Sequence, residues 1–261
     1  MATFQTFIKD PIKYSTTIDV KKLETYMRKL SDLYYNTSKS PISDKIFDEL
    51  KDALAERDPN NSFLDEIGAP ISHSKDKVKL PYPMGSLDKV KPDSNEFDKW
   101  IKKYHGPYEL SDKMDGISAL LHKQKGEIKL YTRGDGIYGQ DISHLLKYID
   151  YGENLPDDIA VRGELIMSKK NFKKFSDKMK NARNAVAGVV NSKTVDVVMA
   201  KCIDFITYNI VFPRFLQDEQ YEHLEEWGFN VVEHKEVKKI SVDMLIKYFS
   251  ERREVDRKSV V

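Results

Sequence analysis

The chain has 261 residues, enough for one large domain or for a medium domain with a small appendage. A third of the residues are charged, yet the net charge is +1, so no global field draws the chain to nucleic acid and any such binding needs a local patch. Cys202 is the only cysteine, which excludes an intrachain disulfide and a cysteine-based zinc site, and the six histidines never fall at ligand spacing. No apolar run approaches a membrane span or a signal-peptide core, and the chain reads as a soluble protein of a reducing, cytoplasmic compartment.

Residues 1–17 read as a polar leader with little periodicity. From Ile18, the residues Leu23, Tyr26, Met27, Leu30, Leu33 and Tyr34 recur at helical spacing and predict a helix that ends at 36–41. Ser43 reads as the N-cap of a second helix, with Asp44 in its first turn and Ile46, Phe47, Leu50 and Leu54 as its apolar stripe. Residues 1–75 therefore predict a small helical module, too small to be strongly stable alone. Within it, Asp44 and Asp48 are i,i+4 neighbours whose like charges repel mildly unless something cationic or hydroxyl-rich lies over them. The nearby rings of Tyr34, Tyr35 and Phe47 would suit a flat cation by stacking. The residues alone lean toward the plainer alternative, in which Tyr34 and Phe47 are core residues of a helical hairpin and the aspartates are solvated.

Leu80-Pro81-Tyr82-Pro83-Met84-Gly85-Ser86-Leu87 is a shaped loop, and Phe97, Trp100 and Ile101 predict a short helix beyond it. An extended run, Tyr108–Leu110, leads into Ser111-Asp112-Lys113-Met114-Asp115-Gly116, and the alternating Ile117, Ala119 and Leu121 lead out. Extended backbone would aim Lys113 and Asp115 into one pocket, and Gly116 permits a turn there. A lysine attacks only when neutral, so a nucleophilic role calls for burial or neighbouring cations. The alternative is a surface Lys–Asp pair worth about 0–1 kcal/mol.

A hairpin is predicted from 117–123 and 127–132. The turn Thr132-Arg133-Gly134-Asp135-Gly136 behind it could bring backbone and a guanidinium to a phosphate, or be an ordinary tight turn. Arg162-Gly163-Glu164 puts two charges inside the otherwise apolar strand Ile159–Met167, which is costly unless they are used. Ser168 reads as the cap of a helix with a basic face, formed by Lys169, Lys170, Lys173, Lys174, Lys178 and Lys180. That face is either a patch for a nucleic-acid backbone or a solvated surface. Small residues at 181–190, a buried strand at 202–211 that includes Tyr208, and a helix, strand and helix at 221–227, 229–233 and 242–252 complete the chain.

Taken in this order, these stretches resemble the NAD+-dependent DNA ligases over nearly the whole chain. The matching residues are Tyr34 and Tyr35, Asp44, Phe47-Asp48, Pro83–Leu87, Lys113-Met114-Asp115-Gly116, Thr132–Gly136, Arg162-Gly163-Glu164, Ala182–Gly188 with Arg183, Tyr208 and Glu226–Phe229. The resemblance implies an α+β fold: a helical module binding nicotinamide mononucleotide at 1–75, then an antiparallel-sheet nucleotidyltransferase (adenylation) domain at 76–261 that lacks the family's last two motifs. It implies that Lys113 takes the adenylyl group of NAD+ as a lysyl-adenylate and that nicotinamide mononucleotide departs. Nicked double-stranded DNA is then sealed, with Mg2+ assisting and a second ligase subunit supplying the remaining parts. By the same resemblance Arg133 and Arg183 contact phosphate or sugar, Glu164 holds a ribose hydroxyl or aids a metal, and Asp115 supports the metal-assisted step. Tyr208 packs on adenine, Ser86 and Leu87 line the adenosine pocket, and Tyr34, Tyr35, Asp44, Phe47 and Asp48 grip the leaving nucleotide. No metal ligands are assigned.

Four positions depart from the family pattern. Ser111 replaces the usual glutamate, leaving Glu109 and Asp112 as nearby carboxylates. Tyr35 and Phe47 stand for a histidine and a tyrosine, and Asn191 for an arginine. Two other readings stay open: an ATP- or GTP-using nucleotidyltransferase of the RNA-ligase or capping type, and a non-catalytic scaffold that docks through the basic helix.

Overall fold

The computed structural model describes residues 3–37, 40–66, 77–87, 90 and 95–258; the side chains of residues 35–37, 44 and 253–258 lie outside that description. The leader, read as having little periodicity, holds two short helices. The Thr3 hydroxyl accepts from the Thr6 amide to start α1 (Phe4–Phe7), and the Asp10 carboxylate accepts from the Lys13 amide to start α2 (Pro11–Thr17), with Pro11 at its first position. Helices of four and seven residues are too short to display a 3.6-residue period. Their signal is the caps and Phe7, which is fully buried.

Helices α3 (Val20–Thr37) and α4 (Asp44–Arg57) match the predicted apolar stripes, and the Ser43 hydroxyl accepts from the Ile46 amide as the N-cap. Leu23, Met27 and Leu30 of α3 meet Leu50 and Leu54 of α4 around Phe7, Ile18 and Phe63. Arg57 closes this unit: its Nη2 donates to the Ile18 carbonyl at 2.7 Å and its Nη1 to the Ser15 carbonyl, filling acceptors that the end of α2 leaves open.

The remaining elements are β1 (Lys77–Lys79), α5 (Asn95–Lys103), β2 (Tyr108–Ser111), β3 (Ile117–Gln124), β4 (Glu127–Thr132), β5 (Tyr138–Gln140), β6 (Ile159–Ile166), α6 (Lys169–Phe172), α7 (Ala182–Val190), α8 (Val197–Ala200), β7 (Asp204–Phe212), α9 (Gln217–Glu226), β8 (Asn230–Val231), β9 (His234–Val237) and α10 (Val242–Lys258). The main sheet runs β4-β3-β6-β7-β8, antiparallel except for the β7–β8 pair, while β1 pairs with β5 and β2 with β9, both antiparallel. The class is α+β, as expected. Lys125 and Gly126 turn the β3–β4 hairpin with φ of 52° and 80°, the left-handed geometry a two-residue turn requires.

Alternation along the strands divides the sheet. Ala119, Leu121, Val161, Leu165, Phe205 and Ile210 face a core shared with Val186, Val189 and Val190 of α7 and with Tyr221 and Leu224 of α9. On the opposite face Leu120 and Ala160 pack under Leu80 and Met84 of the proline-rich loop. The β6–β7 register passes over Tyr208 and Val211, since Arg162 and Gly163 pair with Asn209 and Thr207, and Ala160 and Val161 with Phe212 and Ile210. Each bulge adds a residue and redirects the strand.

The basic helix is corrected. Ser168 does cap it, its hydroxyl accepting from the Asn171 amide at 3.2 Å, but α6 is four residues long and continues as turns, with all six lysines exposed. From 168 to 180 six lysines share a single carboxylate, Asp177, so like charges outnumber opposite ones along the segment.

The Gly116 turn lies against β6 so closely that a Cβ there would come 2.0 Å from the Leu165 carbonyl oxygen. Gly116→Ala is expected to destabilise the chain by about 3 kcal/mol, since the obstacle is backbone that cannot rotate away. Chemical denaturation of the two proteins checks this.

Candidate active site

The polar face of the sheet gathers what the sequence scatters. Ser118 of β3 pairs directly with Glu164 of β6, and Leu120 with Arg162, so Ser118, Arg162 and Glu164 rise from adjacent positions on one face. Glu164 is 6% exposed. Its Oε1 accepts from the Gly116 amide at 3.2 Å, and its Oε2 accepts from the Ser118 hydroxyl at 2.8 Å. Burial pushes this carboxyl above its ordinary range, opposed by the Ser118 hydroxyl, the Arg183 guanidinium, the Gly116 amide and the Lys113 amine.

Tyr208 stands beside Glu164 and Ser118, in the neighbourhood of Arg162 and Arg133. Burial, with the Glu164 charge adding, raises its phenol to about 12 and keeps it protonated. Arg133, at the glycine-rich turn after β4, donates from Nη2 to the Ser86 hydroxyl at 3.2 Å. Arg162 donates from Nη2 to the Pro83 carbonyl at 2.9 Å. The two guanidiniums thus hold the Pro83–Ser86 loop from below. Each keeps a buried Nε–H without a hydrogen-bond acceptor among the described residues. Burial lowers the Arg162 pKa, with Tyr208 opposing and Arg133 reinforcing. Two neighbouring cations with unused donors, flanked by a hydroxyl and a phenol, form a receptor for an anion such as phosphate.

The helical unit reaches this site. Arg183, at the start of α7, places its guanidinium 4.6 Å from the centre of the Tyr34 ring at the end of α3, and donates from Nη1 to Asp115 Oδ1 at 2.9 Å. Tyr34, Arg183, Asp115, Gly116, Glu164, Ser118 and Tyr208 therefore form a continuous chain of contacts around Lys113.

Not every expectation is met. Lys113 is exposed, and its partner in the predicted pocket, Asp115, is engaged by Arg183 instead. The reason is local: β2 ends at Ser111 and β3 begins at Ile117, so residues 112–115 lie outside any strand and the alternation rule does not bind them. Phe47 packs on Phe63, 6.4 Å between ring centres, within the helical core, and Asp48 is exposed on α4. The side chains of Tyr35 and Asp44 lie outside the described residues. Leu87 is 74% exposed. Of the carboxylates near Ser111, Asp112 is committed to Arg252 of α10, and Glu109 faces β9, where burial raises its pKa, the His234 ring lowers it and Glu236 raises it further. Among the described residues no three histidine, cysteine or acidic side chains converge on one point, so the described chain forms no cage for a resident metal. Asp115 and Glu164 each bring one carboxylate to the site.

Sequence reasoning did not single out Ser118, Arg252 or the supporting role of Arg162. Ser118 carries a usable signal, because it is a polar residue two positions after Gly116 inside an apolar strand. Arg252 carries none, since its partner lies 140 positions away.

Comparison with known proteins agrees with the geometry. The family model described as "NAD-dependent DNA ligase adenylation domain" matches residues 73–260. A DNA ligase of Acanthamoeba polyphaga mimivirus is 45% identical over 243 residues, covering 91% of this chain and 38% of the relative. A putative DNA ligase of Invertebrate iridescent virus 6 is 38% identical over 71% of this chain and 29% of its own length. A DNA ligase of Wolbachia pipientis subsp. Culex pipiens is 30% identical over 88% of this chain and 38% of its own length. The chain thus spans between 29% and 38% of the length of these relatives. With Lys113-Met114-Asp115-Gly116 seated on Glu164 and the matched segment running from 73 to 260, the chain belongs to the NAD-dependent DNA ligase adenylation-domain family.

Proposed function

We propose that this chain carries out the adenylation step of an NAD+-dependent DNA ligase, with Lys113 as the nucleophile. The Lys113 nitrogen attacks the adenylyl phosphorus of NAD+, an N–P bond forms, and the P–O bond to nicotinamide mononucleotide breaks. That nucleotide leaves with the bond's electron pair, and the amine's proton passes to solvent. The observation that carries this reading is the contact running from Tyr34 through Arg183 to Asp115, which joins the helical unit to the loop bearing Lys113.

In this reading the helices at residues 3–65 are the module that recognises the departing nucleotide, and Tyr34 offers its ring to the nicotinamide. A pyrophosphate leaving group would have no use for that ring, which disfavours an ATP- or GTP-using enzyme. Arg133 and Arg162 offer their unused Nε–H groups to phosphate oxygens as charge develops there. Tyr208 lies flat under the base, and Glu164 takes a ribose hydroxyl while holding the Gly116 amide. The Lys113 amine is exposed in the chain by itself, and a nucleotide lying over it would strip its water. Mg2+ belongs to this proposal as a companion of the substrate pyrophosphate, held by one or two carboxylates at most. Transfer of the adenylate to nicked DNA, and sealing, would draw on parts that the longer relatives possess, whether on a second subunit or on the same polypeptide.

Three outcomes are expected. Intact-mass analysis after incubation with NAD+ and Mg2+ shows one added adenylyl unit, absent with ATP and absent in Lys113→Ala; an unmodified wild-type chain overturns the reading. Tyr34→Ala raises the NAD+ concentration needed for half-maximal labelling by about tenfold and weakens product inhibition by nicotinamide mononucleotide, while thermal stability changes little. Glu164→Gln abolishes labelling without lowering the melting temperature near neutral pH. Because the folded pKa of Glu164 is raised, its ionised form costs stability at neutral pH and that cost fades as pH falls through the folded pKa. Melting curves across pH should therefore show wild type gaining on Glu164→Gln toward acid.

A further inference from the structure

The loop that carries Lys113 is fastened on both sides, and the fastening on its N-terminal side comes from α10. On the C-terminal side Arg183 binds Asp115, and Glu164 accepts from the Gly116 amide. On the N-terminal side the Arg252 Nε lies 3.1 Å from both Oδ1 and Oδ2 of Asp112, its Nη2 also donates to Asp112, and its Nη1 donates to Glu233. The Asp112 amide bonds the Glu233 carbonyl at 3.4 Å, so both partners of Arg252 belong to the same junction. Only Lys113 and Met114 lie between the two sets of bonds.

The geometry favours a designed clamp over a chance surface pair. The Asp112 contact uses three donor–acceptor pairs from one guanidinium, the fork arrangement that fixes direction as well as distance. Arg252 is only 21% exposed, against 68% for Glu233. Leu245, Tyr248 and Arg252 fall at helical spacing on one face of α10, all part-buried, while Ile246, Phe249 and Glu251 point to solvent. Burial raises the Tyr248 phenol and the Asp112 carboxylate adds to it, which places Tyr248 at the same junction.

We infer that Arg252 is a positioning residue for the adenylation reaction: through Asp112 it fixes the backbone immediately before Lys113, so that the amine is delivered in line with the adenylyl phosphorus. The inference rests on the proposed role of Lys113. A lysine side chain has four rotatable bonds, and a loop fastened at one end would add backbone freedom to them. Misplacement of a reacting atom by about an ångström can cost a hundredfold in rate. The expected defect is therefore in the rate of transfer, with NAD+ recognition left to the groups already described.

The experiment follows single-turnover adenylate transfer from NAD+ to the full chain by intact mass, over a range of NAD+ concentrations. The proteins are wild type, Arg252→Ala, Arg252→Lys, Asp112→Asn and the double variant Arg252→Ala with Asp112→Asn, with melting temperatures measured in parallel. Arg252→Ala should lower the maximal rate constant by about ten- to a hundredfold and change the half-saturating NAD+ concentration by less than about twofold. Asp112→Asn, which reads the same contact from its other end should Arg252→Ala fail to fold, should show a loss of the same kind. Arg252→Lys should recover part of the rate, and the double variant should be no slower than the worse single variant. A wild-type rate in both single variants, a loss seen only in half-saturation, or losses that multiply in the double variant would overturn the inference while leaving Lys113 labelling intact. Failure of wild type to label at all would remove the functional reading itself, and this inference with it.

Discussion

The geometry of the site depends on a buried carboxylate, that of Glu164. Glu164 sits in the middle strand of the main sheet, withdrawn from water, and each of its oxygens is used. One oxygen fixes the Gly116 amide and so the end of the Lys113 loop; the other fixes Ser118 and through it the neighbourhood of Tyr208. An ionised group in that position is costly unless its lone pairs are filled. Filling them is what ties the turn after β2 to the sheet. The glycine at 116 is required by the same arrangement, because the turn must lie directly on the Leu165 carbonyl.

Around this point the charges divide by sign and by element. The two carboxylates of the Lys113 loop each meet a guanidinium from a different part of the chain: Asp115 meets Arg183 of α7, and Asp112 meets Arg252 of α10. The two arginines under the Pro83–Ser86 loop are the exception. They meet a hydroxyl, a backbone carbonyl and each other, and they keep buried donors in reserve. Electrostatically the site is thus closed on its acidic side and open on its basic side. An anion such as phosphate is the complement to that imbalance.

The contact between the helical unit and the sheet is small but chemically specific. Tyr34 approaches the Arg183 guanidinium, the same group that holds Asp115. A change at the end of α3 can therefore be felt at the Lys113 loop through one side chain. The helices otherwise have their own core, against which Phe47 packs.

The amino-acid sequence determined the parts whose physics is local. The apolar stripes of α3 and α4, the Ser43 cap, the left-handed turn of the β3–β4 hairpin and the chemical character of Lys113, Arg133 and Glu164 follow from spacing and residue type. The short capped helices at residues 4–17 escaped notice because two turns do not establish a period, and the lysine-rich segment keeps only a four-residue helix where like charges outnumber opposite ones. Tertiary structure alone decided that Asp115 would turn to Arg183, that Asp112 would be held by a residue far along the chain, and that Tyr34 rather than Phe47 would face the site. Such pairings depend on which strand edges and helix faces close over one another. A carboxylate binds the guanidinium that packing brings within reach, and the linear order of residues does not encode that distance.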